Sequence, residues 1–393
     1  MINSNNHKFI NYGKQKVTES DIESVVSVLK SPYLTQGPCV PAFEESISQE
    51  VKAKYVIAVN SATSALHLAC HSLGITKDDW VWTSPTTFVA SANCAKYCGA
   101  KVDFVDIDPE TGLISIKALE RKLIHARKKG KLPKAVIPVH LAGTSCDMKT
   151  IKELSIRFNF FIIEDASHAI GGKYLNAPVG NCKYSDISVF SFHPVKIITT
   201  GEGGACTTNN LSLAKKIREL RSHGIVKDRN QLINKDAPLW AYEQQSLGFN
   251  YRMTDIQAAL GINQIKRISS IIKERNILLD KYKMLLNDLP LKILKIPSGT
   301  ISSVHLAIIR FKHFDPTLHS NIFNGMRKNN IGVQLHYLPV HLQPYYRNVG
   351  YKEGDFPEAE KYALNSMSLP LYPGLTYEQQ LIVVETLKKL MVT

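Results

Sequence analysis

The sequence lacks the patterns that are typical of membrane-spanning proteins and of proteins stabilised by disulfides. No run approaches the roughly 18 consecutive apolar residues of a membrane-spanning helix, and the opening "MINSNNHKFINYGK" has no apolar segment of the signal-peptide kind. The seven cysteines are odd in number and scattered, and no C-x-x-C pair occurs. We therefore expect a protein of the reducing cytoplasm, with buried free thiols and no membrane partner.

Patterns for metals and for the common nucleotide cofactors are also missing. Cys94 and Cys98 would lie on one face of a helix, but no second pair completes a zinc site, so we expect no metal. No G-x-x-x-x-G-K-[ST] motif occurs. The segment "GEGGAC" supplies Gly201 and Gly203, but its sixth position is Cys206 and it lies far from the first predicted strand. These absences argue against ATP and NAD.

Acidic residues are too few to balance the basic ones. The 48 Lys and Arg residues exceed the 34 Asp and Glu residues by 14, which predicts an anionic partner. The densest patch, residues 121–134, has seven Lys or Arg in fourteen positions, with no zinc-finger, RNA-recognition or helix-turn-helix signature beside it. We interpret it as the solvated end of a helix and a loop. A phosphorylated metabolite explains the charge without a nucleic acid.

A chain of 393 residues is too long for one core, and its pattern changes along its length. Up to about residue 210, short apolar runs alternate with helical periodicity, which is typical of an α/β domain with a mainly parallel sheet. Beyond it, long helical stretches (254–286 among them) lead into "HLAIIRF", "GVQLHY", "SMSLPL" and a last helix near 376–390. We predict a large α/β domain over 1–260 and a small α+β domain over 261–393. The strands predicted in the large domain are 55–59, 80–83, 101–105, 135–139, 160–164 and 187–192.

Three motifs on this frame carry possible chemistry. In "VNSATSAL", Ala62 and Thr63 would open a helix whose free N–H groups suit a phosphate, although an ordinary capped helix has the same pattern. In "FFIIEDASHAIGG", Asp165 ends a strand with His168 three residues later, although Asp165 could simply cap a turn. In "SFHPVKIITTGEGGA", Lys196 is the one lysine in fifteen residues.

The three motifs together are more informative than any one of them. Pyridoxal 5′-phosphate needs a lysine that binds it covalently, a carboxylate for its pyridinium nitrogen and donors for its phosphate. These groups occur in a plausible order, with Lys196 lying 31 residues after Asp165. The sequence therefore predicts a pyridoxal phosphate enzyme.

The chain resembles the sugar aminotransferases of the DegT/DnrJ/EryC1/StrS family over essentially its whole length. The resemblance rests on "YLTQGP", "NSATSAL", "TTFVASAN", "EDASHAIGG", "SFHPVKIITTGEGGA", "RSHGI" and "NYRMTDIQAALG", in the family's order and spacing. It implies the aspartate-aminotransferase fold (fold type I of the pyridoxal phosphate enzymes).

The resemblance also implies roles for individual residues. Lys196 would hold the cofactor and then act as general acid and base. Asp165 would pair with the pyridine nitrogen, Phe88 would stack on the ring, and His168 would lie near the phenolic oxygen. Sugar dehydratases of the family carry histidine in place of the lysine, so Lys196 favours amino transfer.

The phosphate and the dimer are implied in the same way. Ala62, Thr63 and Ser191 would hold the cofactor phosphate. Asn250, in "GFNYRM", would reach the phosphate of a neighbouring subunit, which implies a homodimer with shared active sites.

Substrate residues follow from the family's motifs as well. They are Tyr12, Pro32, Tyr33, Leu34, Thr35, Leu335, His336, Tyr337 and Leu338. "HPVK" with "GEGG" resembles the branch that makes UDP-4-amino-4,6-dideoxy-N-acetyl-β-L-altrosamine for pseudaminic acid, with L-glutamate as donor and a UDP-linked 4-keto-6-deoxy sugar as acceptor. Pro32, Tyr33 and Leu338 depart from that branch. UDP-4-keto-arabinose, a dTDP-4-keto-6-deoxyhexose or a non-catalytic binding role therefore stay open as alternatives.

Overall fold

The computed structural model describes residues 8–312 and 315–392, which form thirteen α-helices and fifteen strands. The strands are β1 Tyr55–Val59, β2 Trp80–Thr83, β3 Lys101–Phe104, β4 Ala135–Ile137, β5 Phe161–Asp165, β6 Lys173–Tyr174, β7 Ala177–Pro178, β8 Ile187–Ser191, β9 Gly204–Thr208, β10 Ile225–Val226, β11 Glu243–Gln244, β12 Leu291–Ile293, β13 Thr300–Ile301, β14 Ala307–Phe311 and β15 Ser366–Leu369. The helices are α1 Glu19–Leu29, α2 Cys39–Val51, α3 Ala62–Ser72, α4 Ala90–Tyr97, α5 Ile116–Lys128, α6 Met148–Phe158, α7 Leu211–Arg221, α8 Asp255–Lys266, α9 Ile268–Leu285, α10 Pro316–Lys328, α11 Pro344–Arg347, α12 Pro357–Ala363 and α13 Tyr377–Val392.

The large sheet has seven strands in the order β1-β9-β8-β5-β4-β2-β3. The neighbours from β8 to β3 pair in parallel, and β9 is antiparallel to both β1 and β8. The α/β fold with a mainly parallel sheet is therefore confirmed. Because the carboxyl ends of β1, β5 and β8 lie at one edge, the loops after these strands meet there.

The largest apolar core lies between this sheet and its helices. Ile137, Ile163 and Val189 on the central strands are fully buried, and Leu68 of α3 and Leu119 of α5 cover them from the helices. Buried β-branched runs of this kind are what a parallel sheet with both faces covered requires.

A second, three-stranded sheet has the order β12-β14-β15 and antiparallel pairing. Its core joins Ile309 of β14 to Tyr282 of α9, Ile322 of α10 and Leu387 of α13, all fully buried. The predicted runs of strands beside helices are present here. The division of the chain at residue 260 stays a prediction.

The structure differs from the predictions in three local features: one strand was not predicted, one predicted strand is absent, and one predicted helical stretch is interrupted. β9 lies outside the predicted strands, because "GACTT" has no β-branched apolar run. "GVQLHY" is no regular strand: Gln334 pairs with Ser368 in a single bridge, and the residues after it turn toward a cavity. The helical stretch 254–286 is two helices, because Arg267 leaves the helical backbone at φ −105° and ψ 6°.

The structure can be compared with what the composition predicts about disulfides, membrane-spanning helices and metal sites. All seven cysteines are unpaired thiols, five of them buried. Within residues 8–312 and 315–392, no helix has the length and hydropathy to cross a bilayer. The same residues hold no cluster of three or more His, Cys, Asp or Glu side chains arranged for a metal ion.

Candidate active site

A cavity of about 550 Å³ opens at the carboxyl ends of β1, β5 and β8. It brings together most of the predicted site residues, although they come from segments as distant as the N-terminus and residue 337. The predicted residues that line it are Tyr12, Ala62, Thr63, Phe88, Asp165, His168, Ser191, Lys196, Leu335, His336 and Tyr337.

Asp165 ends β5 and is held by two hydrogen bonds. The Ser91 hydroxyl donates to Oδ2 at 2.6 Å, and the backbone N–H of Ser167 donates to Oδ1 at 3.1 Å. The Thr87 hydroxyl lies 2.7 Å from that of Ser91, one helical turn away. Because both oxygens keep a free lone pair, the buried carboxylate is oriented and can still accept from a ligand.

Lys196 lies in the loop between β8 and β9, where its backbone N–H closes a turn on the carbonyl of His193 at 2.9 Å. Burial lowers the pKa of Lys196 from 10.5 to about 8, and the carboxylate of Asp165 opposes this by raising it. A lysine with a pKa near 8 has a substantial neutral fraction at neutral to mildly alkaline pH. A neutral amine is the form that attacks an aldehyde.

The start of α3 forms a cradle for an anion. Ser61 caps the helix by accepting a hydrogen bond from the N–H of Ser64 at 3.1 Å, whereas the N–H groups of Ala62 and Thr63 belong to the first turn, which has no partner inside the helix. Gly204 of β9 lies directly behind: a Cβ there would be 2.5 Å from the nitrogen of Ala62. Glycine is therefore required for the strand and the helix start to lie this close.

His168 follows Asp165 by three residues and lies against Tyr337. The hydroxyl of Tyr337 is 3.1 Å from Nε2 of His168, and Nδ1 is buried with no partner among the described residues. Burial lowers the pKa of His168 well below its ordinary value, and Lys196 and His336 lower it further. The imidazole is therefore neutral, and His168 is one of the residues that line the cavity.

The remaining predicted residues lie outside this cavity in the single chain. The segment from Pro32 to Thr35 is exposed, with the carbonyl of Leu34 accepting from the N–H of Asp255 at 3.0 Å. Leu338 is exposed, and Asn250 is exposed in an extended stretch that bridges Ser222. Their roles stay predictions.

Several residues of the site were missed. Ser91 and Thr87 lie in the "TTFVASAN" motif, where Thr87 precedes α4 and Ser91 is in its first turn, and their spacing of four is the signal that could have found them. His305, whose ring centre is 4.3 Å from that of His168, and Gln334 also line the cavity. They come from the C-terminal part of the chain, and no short motif links them to the rest.

The residues present fit pyridoxal 5′-phosphate. Lys196, the oriented Asp165, the first turn of α3 at Ala62 and Thr63, and His168, whose buried Nδ1 has no partner among the described residues, all line one cavity. These match the aldehyde, the ring nitrogen, the phosphate and the ring oxygen of that cofactor. The fold and the site together define a pyridoxal phosphate-dependent aminotransferase.

A family model gives the more particular assignment. The model described as the DegT/DnrJ/EryC1/StrS aminotransferase family matches residues 15–388, so the chain belongs to this family of sugar aminotransferases. The cofactor is pyridoxal 5′-phosphate, as the fit of the site and the family both show.

Individual relatives agree with this assignment. A UDP-4-amino-4,6-dideoxy-N-acetyl-β-L-altrosamine transaminase of Campylobacter jejuni is 38% identical over 380 residues, covering 96% of each chain. The spore coat polysaccharide biosynthesis protein SpsC of Bacillus subtilis is 36% identical over 392 residues, covering 99% of this chain and 98% of its own.

Solved structures are similar over the same length. Helicobacter pylori PseC, an aminotransferase involved in the biosynthesis of pseudaminic acid, has a TM-score of 0.89 at 30% identity, covering 98% of this chain and 100% of its own. The PLP form of Spr1654 from Streptococcus pneumoniae has a TM-score of 0.88 at 28% identity, covering 98% and 99%.

Proposed function

We propose that the chain transfers an amino group from L-glutamate to C4 of a UDP-linked 4-keto-6-deoxy sugar. The acceptor would be UDP-2-acetamido-2,6-dideoxy-β-L-arabino-hex-4-ulose and the product UDP-4-amino-4,6-dideoxy-N-acetyl-β-L-altrosamine, a step toward pseudaminic acid. The observation that carries amino transfer is the pairing of Lys196 with Asp165 in one cavity. The names of the Campylobacter and Helicobacter relatives support this particular sugar.

Different residues of the chain have different roles in this reaction. The cofactor, when bound, supplies an electron sink for the electrons left when a proton leaves the carbon next to nitrogen. Asp165 keeps the ring nitrogen protonated, and Ser91 and Ser167 fix the orientation of its carboxylate. Lys196 carries the proton: as the neutral amine it removes one, and as the ammonium it returns one. Its lowered pKa makes both forms accessible near neutral pH.

The polar groups of the cavity hold the ligands for this transfer. The first turn of α3 and the hydroxyl of Ser191 face the phosphate end, where N–H donors and the positive end of the helix dipole favour an anion. Tyr12 and His336, with ring centres 5.7 Å apart, also line the cavity, and Nδ1 of His336 lies 2.8 Å from the Ser368 hydroxyl of the small sheet. We assign the part of the cavity beside these two rings to the sugar.

The reaction itself is the first test. The holoenzyme should convert the proposed keto sugar and glutamate into a 4-amino sugar of the expected mass, with NMR giving the configuration at C4. UDP-4-keto-arabinose and a dTDP-4-keto-6-deoxyhexose are the competing acceptors, and a higher kcat/KM for either would overturn the proposed sugar. A purified protein that takes up no pyridoxal phosphate would overturn the enzyme as a whole.

Asn250 supports a homodimer with shared sites, because it is exposed and does not line the cavity of its own chain. Lys196→Ala and Asn250→Ala proteins should each be weakly active or inactive. Mixed dimers should regain activity, because one of the two sites would combine Lys196 of one chain with Asn250 of the other. Confirmed mixed dimers with no recovery would contradict sharing.

A further inference from the structure

The side chains that line the cofactor cavity carry too little positive charge to bind the diphosphate of the proposed substrate. Among the residues that the structure describes, Lys196 is the one lysine or arginine in the cavity lining, beside the carboxylates of Asp165 and Glu202. Burial lowers the pKa of each histidine that lines it, so these side chains are neutral: His168, His193, His305 and His336. One cation and two carboxylates give a formal charge of −1. A nucleotide sugar brings a diphosphate, for which this lining has no cation to spare.

A second cavity, of about 420 Å³, has the opposite character. Its walls come from α7, from the segment after it and from the stretch that follows Asn250. Four cations line it, against the two carboxylates of Glu219 and Asp228, so its formal charge is +2. We call these four residues the basic groove: Lys215, Arg218, Lys227 and Arg252.

The cations of the basic groove make no direct polar contact with the rest of the described chain, although Lys215 lies close enough to Asp228 to help lower the pKa of that carboxyl group. Within the described residues, none of their side chains forms a hydrogen bond or a salt bridge. Arg221, on the same helix, shows the contrast: it contacts Glu44 at 2.7 Å and the carbonyl of Ala58 at 2.8 Å. Asp228 is already occupied, accepting from the N–H of Asn230 at 3.0 Å and from Gln231 at 2.7 Å. Unpaired guanidinium and ammonium groups around one space are suited to a phosphate-bearing ligand.

Two neighbours connect the basic groove to the segments that lie outside the cofactor cavity. Arg252 is two residues after Asn250 in an extended stretch, and alternate residues of such a stretch lie on the same side. Gln36, which also lines the groove, directly follows the exposed segment 32–35. The groove therefore lies beside both predicted ligand segments that do not reach this chain's own cofactor.

The segment between Lys227 and Asn250 carries large apolar side chains that this chain leaves uncovered. Leu239 is 86% exposed and Trp240 84%, and Leu247 and Ile233 are similarly open. Several exposed large apolar side chains in one segment are typical of a protein–protein contact, so we expect a second copy of the chain to cover this segment, which ends at Asn250.

We propose that the basic groove binds the diphosphate of the nucleotide sugar whose keto carbon reacts in the cofactor cavity of the partner subunit. The inference rests on the proposed function and adds the groups that hold the nucleotide. It also accounts for part of the excess positive charge, because an electrostatically favourable groove raises the local concentration of an anionic substrate.

The first experiment uses the double variant Lys215→Gln/Arg218→Gln. The KM for the nucleotide sugar should rise by roughly tenfold or more, since contacts to a charged group are lost. Binding of UDP to the holoenzyme, measured by calorimetry, should weaken by a similar factor. The half-reaction with glutamate, followed by the cofactor's absorbance, should keep its rate, because glutamate carries no diphosphate. Arg218→Lys should retain part of the affinity.

Lys216→Gln is the matched control, because Lys216 is exposed on the same helix and lies outside the groove lining. If the control and the double variant have equal effects, the loss of affinity comes from the net surface charge and not from binding in the groove, and the proposal is overturned. If UDP binding needs the groove but no keto sugar is aminated, the groove stands and the proposed function fails.

Mixing experiments test the subunit arrangement. A Lys196→Ala chain has an intact groove and no catalytic amine, and the double variant has the reverse. In a mixed dimer, binding across the interface would join the intact groove to the intact amine, so the KM should return close to its native value. A KM that stays high in confirmed mixed dimers would place groove and amine in the same chain and overturn the proposal.

Discussion

Ser91 donates a 2.6 Å hydrogen bond to Oδ2 of Asp165, and both side chains are buried. The bond joins α4 to the end of β5, so the carboxylate that we assign to the cofactor's ring nitrogen is oriented by a neighbouring helix. Thr87 continues the network one turn earlier, 2.7 Å from the Ser91 hydroxyl. The position of Asp165 therefore depends on a residue that does not itself line the cavity.

Ser91→Ala should lower stability and cofactor affinity together. The lost bond is to a charged, buried acceptor, for which about 1.5–3 kcal/mol is typical. Denaturant unfolding of the apoenzyme and titration with pyridoxal phosphate measure the two effects. Ser188→Ala is the control, because the Ser188 hydroxyl is buried on β8 with no partner among the described residues. It should be nearly neutral, and equal losses in both variants would contradict a specific role for Ser91.

Cofactor uptake by the apoenzyme should follow the titration of Lys196. Only the neutral amine reacts, so the uptake rate should rise with pH and level off above a midpoint near the pKa of about 8. Asp165 raises that pKa, so Asp165→Asn should move the midpoint to lower pH. Stopped-flow absorbance over pH 6–10 (a range of roughly two units either side of 8) measures it.

Glu202→Gln gives the matched carboxylate control for this titration. Glu202 lines the same cavity but acts on the pKa of His193, not on that of Lys196. Its removal should leave the midpoint in place. If the midpoint moves equally in both variants, the overall electrostatic potential of the cavity, and not Asp165 in particular, determines the pKa of Lys196.

The sequence predicted the parts of the site that short motifs encode. Asp165 and Lys196 follow buried strands, and strand ends in a parallel sheet must meet at one edge. The sequence could not predict that His305 and Gln334 line the cavity, because their position depends on how the small sheet packs against the large one. β9 was missed for a related reason: Gly204 is needed for close approach to α3, and glycine weakens a strand pattern.

Gly204→Ala should damage the anion cradle selectively. The new Cβ would lie 2.5 Å from the nitrogen of Ala62, so the strand or the helix start must shift, at a cost of about 1–3 kcal/mol. Affinity for pyridoxal phosphate should fall more than affinity for pyridoxal, which lacks the phosphate. Gly13→Ala is the control, since its Cβ would meet only Val195 at an ordinary 3.5 Å. Equal losses for both ligands would contradict a cradle.

Tyr337→Phe should change the electronic state of the cofactor as well as stability. The Tyr337 hydroxyl lies 3.1 Å from Nε2 of His168, and burial raises the pKa of Tyr337, so the hydroxyl keeps its proton and can donate. That donation leaves the proton of the neutral imidazole on Nδ1, the nitrogen with no partner in the part of the chain that the structure describes. The variant removes this constraint, so we expect a shifted absorption maximum of the holoenzyme and a lower kcat.

Tyr351→Phe separates this effect from a simple loss of stability. Its hydroxyl donates to the carbonyl of Val102 at 2.7 Å, outside the lining of the cofactor cavity. The Tyr351 hydroxyl has a second, longer hydrogen bond to Oδ1 of Asp103 at 3.3 Å. Both variants should therefore be less stable to denaturant, by about 0.5–1.5 kcal/mol for each hydrogen bond lost. Only Tyr337→Phe should alter the spectrum and kcat. If the two variants behave alike in both, Tyr337 supports the fold and does not set the proton on His168.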